Sequence, residues 1–128
     1  MIGYAMVGTT NLQRATQFYD ALLAPLGLAQ VEANETCTAY APTASLDAVE
    51  FYVTKPFDAS QATAGNGSMI AFLVPTLGAL EQFHKAGLAS GGRDEGAPGP
   101  RPCDAIVHYA YIRDPDGNKI CAYCVHPD

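Results

Sequence analysis

Apolar and polar positions along this chain change period in a fixed order, and they do so twice. Residues 2–8 form a short apolar run bounded by Gly and Thr, which predicts a first strand. The period then becomes helical, with Leu12, Ala15, Phe18, Tyr19 and Leu22 on one face up to about Leu23. Thr10 and Gln13 have the spacing of a capping box, and Pro25 and Gly27 close the helix. Three strand-like stretches follow near residues 28–32, 37–41 and 48–54, with turn signals at Asn34 and Pro42. After a polar connector at 55–67, the order repeats. A strand is predicted at 68–74. A helix capped by Thr76 carries Leu77, Leu80, Phe83 and Leu88, and Gly91-Gly92 stops it. Residues 93–103 hold Gly96, Pro98, Gly99, Pro100 and Pro102, which leaves room for a short strand or for a loop over a cleft. The chain closes with a hairpin, 106–113 and 119–125, across Asp114-Pro115-Asp116-Gly117, where Pro presets φ and Gly supplies φ > 0.

The repetition is also visible residue by residue. Leu12 and Leu77, Gln17 and Gln82, Phe18 and Phe83, Ala21 and Ala86, and Leu23 and Leu88 each stand 65 positions apart. A second register lays residues 49–53 over 120–124 and Pro56 over Pro127, at an offset of 71. The expectation is one α+β domain over 1–128 built from two βαβββ modules, about 1–56 and about 67–127. A concave cleft lies between them.

Composition narrows the function classes. The 48% apolar and 16% charged content is that of a globular chain. With 13 acidic and 7 basic residues the net charge is −6, and no Lys/Arg stripe is present to neutralise phosphates, so no nucleic-acid partner is expected. No apolar run approaches the roughly 18–20 residues of a membrane span. With no secretion signal visible, the expectation is a cytoplasmic protein with no membrane partner. The four cysteines read as free thiols. Cys121-x-x-Cys124 lies in a strand, where positions i and i+3 face opposite ways, so the pair does not chelate one ion.

Strand 1 followed by Asn11-Leu12-x-x-Ala15-x-x-Phe18-Tyr19, then Ala71-Phe72, Gly91-Gly92-Arg93-Asp94 and Tyr111-Ile112-Arg113-Asp114-Pro115-Asp116-Gly117-Asn118, resembles the vicinal oxygen chelate superfamily. Its relatives are glyoxalases, bleomycin-resistance proteins and extradiol dioxygenases. The resemblance implies a U-shaped open barrel with a concave cleft and a divalent metal on its inner wall. Carried onto this chain, the metal-ligand positions are Tyr4, Glu50, Met69 and Cys121. Only Glu50 among them is a good ligand for a hard cation. No tight divalent metal is therefore expected, and the cofactor is left unassigned.

The remaining candidates line a small-molecule site. Glu50 stands in an apolar strand and is the candidate general base. Tyr109, Tyr111 and Tyr123 share the parity of Cys121, and Tyr52 shares that of Glu50, with Tyr40 a further candidate. Arg101 flanks the Pro-rich segment and is placed at the cleft mouth. His108 is expected on the helix side, His84 in solvent and His126 at a frayed end. A cleft lined by tyrosines predicts a planar aromatic ligand over a small anion, whose approach the net charge disfavours. Three functions remain open. One is a glyoxalase-like lyase or dioxygenase-like enzyme; the second is a metal-free protein that binds or sequesters an aromatic compound. The third is a partner-binding copy without chemistry. A homodimer is expected in each case.

Overall fold

Each half of the chain folds into one sheet with one helix laid against one face. The computed structural model describes residues 1–125 and 127. The first module runs β1 (Ala5–Gly8), α1 (Leu12–Leu23), β2 (Leu28–Ala33), β3 (Cys37–Pro42) and β4 (Phe51–Thr54). The second runs β5 (Ile70–Leu73), α2 (Leu77–Ala89), β6 (Arg93–Arg101), β7 (Asp104–Arg113) and β8 (Lys119–Cys124). The sheets are ordered β1-β4-β3-β2 and β5-β8-β7-β6, with β1/β4 and β5/β8 parallel and the other pairs antiparallel. Neither sheet closes on itself. The architecture is α+β, two βαβββ modules in an open-barrel arrangement.

Four local expectations are corrected. The N-cap of α1 is Asn11, whose Oδ1 accepts from the Arg14 amide at 3.0 Å. Thr10 is diverted, because its amide and hydroxyl both donate to Asp116 at 2.9 and 3.0 Å. Residues 93–101 form a full nine-residue strand. It tolerates Pro98 and Pro100 because β6 is an edge strand with register shifts at Asp94/Gly96, Gly96/Gly99 and Pro100/Arg101, so the lost amide donors are not needed in the ladder. Leu88 is 43% exposed although its repeat partner Leu23 is fully buried. The register between the modules also differs from the sequence reading. The Thr9 amide donates to Thr54 O, and the Val74 amide donates to Tyr123 O, both at 2.9 Å. The first strands are thus related by 65, as read, but β4 and β8 by 69 (123 − 54) and not 71. Tyr52 is the counterpart of Cys121, and Lys119 that of Glu50.

One core serves both modules. Phe18, Leu22, Phe51, Phe83, Ile112 and Ile120 are fully buried in a single cluster on the helix-facing sides. The rings of Phe51 and Phe72 meet edge to face at 5.6 Å, joining β4 to β5. Gly87 in α2 lets the layers close. A Cβ there would stand 3.0 Å from Ile112 and 3.1 Å from Leu22.

The Asp114–Asn118 turn fastens the second module to the first. Asp114 is 4% exposed and accepts from the Tyr19 hydroxyl at 2.5 Å and from Asn118 Nδ2, Asn118 N and Asp116 N at 2.9 Å each. Asp116 accepts from Thr9 Oγ1 at 2.6 Å and pairs with Arg14 at 3.3 Å. Asn118 Nδ2 also donates to Gly8 O at 2.9 Å. The residues that carry the strongest sequence motif therefore serve assembly. Burial and the neighbouring Asp114 carboxylate push the Tyr19 hydroxyl well above its usual range.

Candidate functional site

Strand alternation gives each sheet one face toward its helix and one face free of it. In the second module, Ile112, Ile120, Ala110 and Ala122 take the helix side. The odd-numbered residues therefore share the free face. Tyr111 pairs with Cys121 and Cys121 with Ala71, while Tyr109 pairs with Tyr123 and Tyr123 with Leu73. The phenol rings of Tyr109 and Tyr111 are parallel within 4° at 6.1 Å between centroids, and Tyr109 and Tyr123 stack at 6.1 Å. These three rings form a continuous wall.

Two cations bracket that wall. The Arg101 guanidinium and the Lys119 ammonium each lie 5.1 Å from the centroid of Tyr111. Arg101 is held by its own hairpin, donating to Ala97 O at 3.1 Å and Tyr109 O at 3.3 Å. Gly96 makes room for it. A Cβ at that position would stand 2.8 Å from Arg101 Nη2 and 2.8 Å from Tyr111 Cδ2. Burial raises the Tyr111 hydroxyl above its usual value. Cys121 lies beneath the wall at 1% exposure, and burial pushes its thiol up to about 11.

Lys119 also links the wall to a cleft of about 250 Å³ where the modules meet. Met6, Val7 and Gly8 line it from β1, Met69 and Ile70 from the start of β5, and Asn118 and Lys119 from the hairpin. Met69 is 46% exposed there, beside Met6 at 49%. On the first sheet, Tyr52 shares the free face with Met6 and Ala39 through the β1–β4–β3 register, and Glu50 has the same parity. Tyr4 packs edge to face on Tyr52 at 4.9 Å. Glu50 is exposed.

Tyr40 is the candidate that the fold removes. It pairs with Phe51 on the helix side and is fully buried. Its hydroxyl donates to Asp20 Oδ1 at 2.9 Å, with Thr16 O at 3.2 Å. Burial and Asp20 raise it far above the usual phenol range. It holds α1 to β3 and takes no part in a ligand site. The histidines divide differently. His108 pairs with Cys124, a core residue, and so takes the helix side. His84 is not solvated as expected. Its side chain is 12% exposed, with Nε2 2.9 Å from Asp94 Oδ1. His126 lies outside the described residues. Lys119 and Gly96 were absent from the sequence-derived candidates. The parity of Lys119 with Cys121 was the available signal for the first; nothing local marked the second.

The metal positions fail on donor chemistry. Tyr4, Glu50, Met69 and Cys121 offer a phenol, one carboxylate, a thioether and one buried thiol. A hard divalent ion asks for carboxylates, imidazoles or water, and a soft one for thiolates. Among the described residues no three His, Cys, Asp or Glu side chains come together as a metal site.

Comparison with known proteins gives a consistent picture. The family model described as Glyoxalase/Bleomycin resistance protein/Dioxygenase superfamily matches residues 1–122. A glyoxalase/bleomycin resistance protein from Albidiferax ferrireducens T118 is 40% identical, with a TM-score of 0.85 over 97% of this chain and 98% of that one. A glyoxalase-related enzyme from Fulvimarina pelagi is 18% identical, with a TM-score of 0.73 over 97% and 87%. A lactoylglutathione lyase from Agrobacterium tumefaciens is 18% identical, with a TM-score of 0.67 over 97% and 92%. The last two show likeness of fold alone. Among curated proteins none matches the chain. No helix among the described residues is long and apolar enough to cross a membrane.

Proposed function

We infer a binding function from a firm premise: the chain belongs to the glyoxalase/bleomycin resistance protein/dioxygenase superfamily. Within it, this protein binds a small planar aromatic compound on its tyrosine wall and does so without a metal. The observation that carries this reading is the stacked array of Tyr109, Tyr111 and Tyr123 on the free face of the second sheet. Three ring contacts supply about 1.5–4.5 kcal/mol beyond the area they bury, and burial of the ligand's apolar surface supplies the rest of the roughly 8 kcal/mol of micromolar affinity. The unsuitable donor set at Tyr4, Glu50, Met69 and Cys121 turns the reading away from metal-dependent glyoxalase or dioxygenase chemistry. Glu50 remains the one carboxylate at those positions, in the role of a hydrogen-bond acceptor at the rim.

The free faces also carry exposed Tyr4, Met6, Met69 and Leu73. Such a patch suits a second copy of the chain, and sedimentation velocity reads that homodimer directly. The binding test is a thermal-shift and titration series with 2-naphthamide against a methylglyoxal–thiol adduct. The aromatic amide is expected to stabilise the protein and the adduct to leave it unchanged. Stabilisation by the adduct alone, or aromatic binding that survives Tyr111→Ala unchanged, overturns the proposal.

A further inference from the structure

We propose that the ligand of the tyrosine wall is an aromatic anion, held with its ring on Tyr109 and Tyr123 and its negative group at Lys119. This rests on the reading above and adds the charge and the orientation of the ligand. The observation is an uneven distribution of charge in an acidic chain. Of its 7 Lys and Arg residues, Arg93, Arg101, Arg113 and Lys119 all stand on the free face of the second sheet. Arg93 pairs with Arg113 and Arg113 with Lys119 in one cross-strand row, and Arg101 covers Tyr111. Against these, Glu95 pairs with Arg113 at 2.7 Å. Lys119 forms no ion pair with a carboxylate among the described residues. The overall charge of −6 therefore misdescribes the field at this face, where cations outnumber the carboxylate.

Along β7 and β8 the basic side chains stand at one end, and the Arg101 guanidinium lies over Tyr111 between the two ends. Alternate residues along β8 are Tyr123, Cys121 and Lys119, and along β7 they are Tyr109, Tyr111 and Arg113. Leu73 extends the first row and lies beside Tyr123. The strand rise puts the apolar row and the basic row about 13 Å apart. The Lys119 side chain reaches back across that backbone span to 5.1 Å from the Tyr111 ring, so a ring system on the tyrosines with one acidic group at its end meets the ammonium. A small anion would leave the tyrosine rows bare, and a neutral ring would leave Lys119 unused. Tyr111 sits between the two rows with the Arg101 and Lys119 cations each 5.1 Å from its ring, which holds both charges near the ligand without neutralising them.

The test compares three probes of equal ring area: 2-naphthoate, 2-naphthamide and 2-naphthylmethylammonium. Isothermal titration at low and at high salt is expected to rank naphthoate tightest, about fivefold over the amide, with the ammonium weakest. Raising salt is expected to erode only the naphthoate advantage. Lys119→Gln removes most of that advantage and leaves the amide within about twofold, while Lys119→Arg restores it. Equal affinity of naphthoate and amide, or an unchanged ratio in Lys119→Gln, overturns the charge assignment and leaves the tyrosine wall standing. Failure of all three probes to bind overturns both.

Discussion

The free faces of the two sheets are built on one lattice and have opposite chemistry. The first strands correspond at an offset of 65 and β4 with β8 at 69, while the pairings Ala39↔Tyr52 and Tyr111↔Cys121 relate β3 to β7 at 72 (111 − 39). On that lattice Cys37, Ala39 and Thr54 occupy the places of Tyr109, Tyr111 and Tyr123. Glu50 occupies the place of Lys119. The helix-facing sides stay buried in both copies: Phe51 matches Ile120 and Val53 matches Ala122, all fully buried. Packing density constrains one side of each sheet, because any change of volume there is felt by the shared core. The other side is at liberty to acquire rings and charges in one copy and not in the other.

This contrast is open to direct attack, and the largest effect is expected at the turn that joins the modules. Asp114→Ala strands the Tyr19 hydroxyl and the Asn118 amide and is expected to cost about 3–5 kcal/mol. Its lattice counterpart Pro42 makes no such junction, and Pro42→Ala is expected to cost less than about 1 kcal/mol. Urea unfolding of the two variants measures the difference, and equal losses would show that the junction is not specific to the second copy. Next come the paired leucines. Leu23→Ala is expected to cost at least about 2 kcal/mol and Leu88→Ala well under about 1 kcal/mol, since only the first is buried.

Binding should divide the faces in the same sense. Tyr111→Ala is expected to weaken 2-naphthamide about tenfold, close to 1.4 kcal/mol, whereas Tyr52→Ala changes it less than about twofold. A titration in which Tyr52→Ala does the greater damage would move the ligand to the first sheet. The smallest effect concerns pH. The folded-state thiol of Cys121 is raised to about 11, so its protonated form favours the native state. That contribution is complete below the unfolded thiol value, near ~8.5, and is lost as pH rises to about 11. Unfolding free energy is expected to hold at about pH 8 and to decline toward about pH 10.5, with the decline shallower in Cys121→Ala. In the same samples iodoacetamide is expected to modify exposed Cys103 well before Cys121.

Much of this arrangement was legible in the sequence where the signal was periodic. Parity alone put Tyr109, Tyr111, Tyr123 and Cys121 on one face, because an unbroken strand leaves no other choice. Parity does not place Tyr40. Its side depends on how β3 meets β4, and the 43–50 segment between them carries no tight-turn signal that fixes the register. The offset of 71 failed for a related reason. Short runs of Val, Phe, Tyr and Ala align nearly as well two residues apart, and parity is blind to a slip of two. Strand β6 was hidden by its prolines, whose meaning depends on being at a sheet edge. The clustering of Arg101 with Lys119 was invisible, since it arises from a hairpin that folds residue 101 back over residue 111.

The bonds from the Asp114–Asn118 turn to Thr9, Thr10, Arg14 and Tyr19 span 95 to 107 residues of chain. They set an order of events during synthesis. At the usual pace of about 5–20 residues per second, the first helix has existed for seconds before its partners emerge. Until then Tyr19 has no buried acceptor, and the β1–α1 turn has nothing to hold its threonines. Closing so long a loop is entropically slow, and it comes last. A ribosome stalled before residue 114 would hold an N-terminal module whose Tyr19 hydroxyl still lacks its Asp114 acceptor.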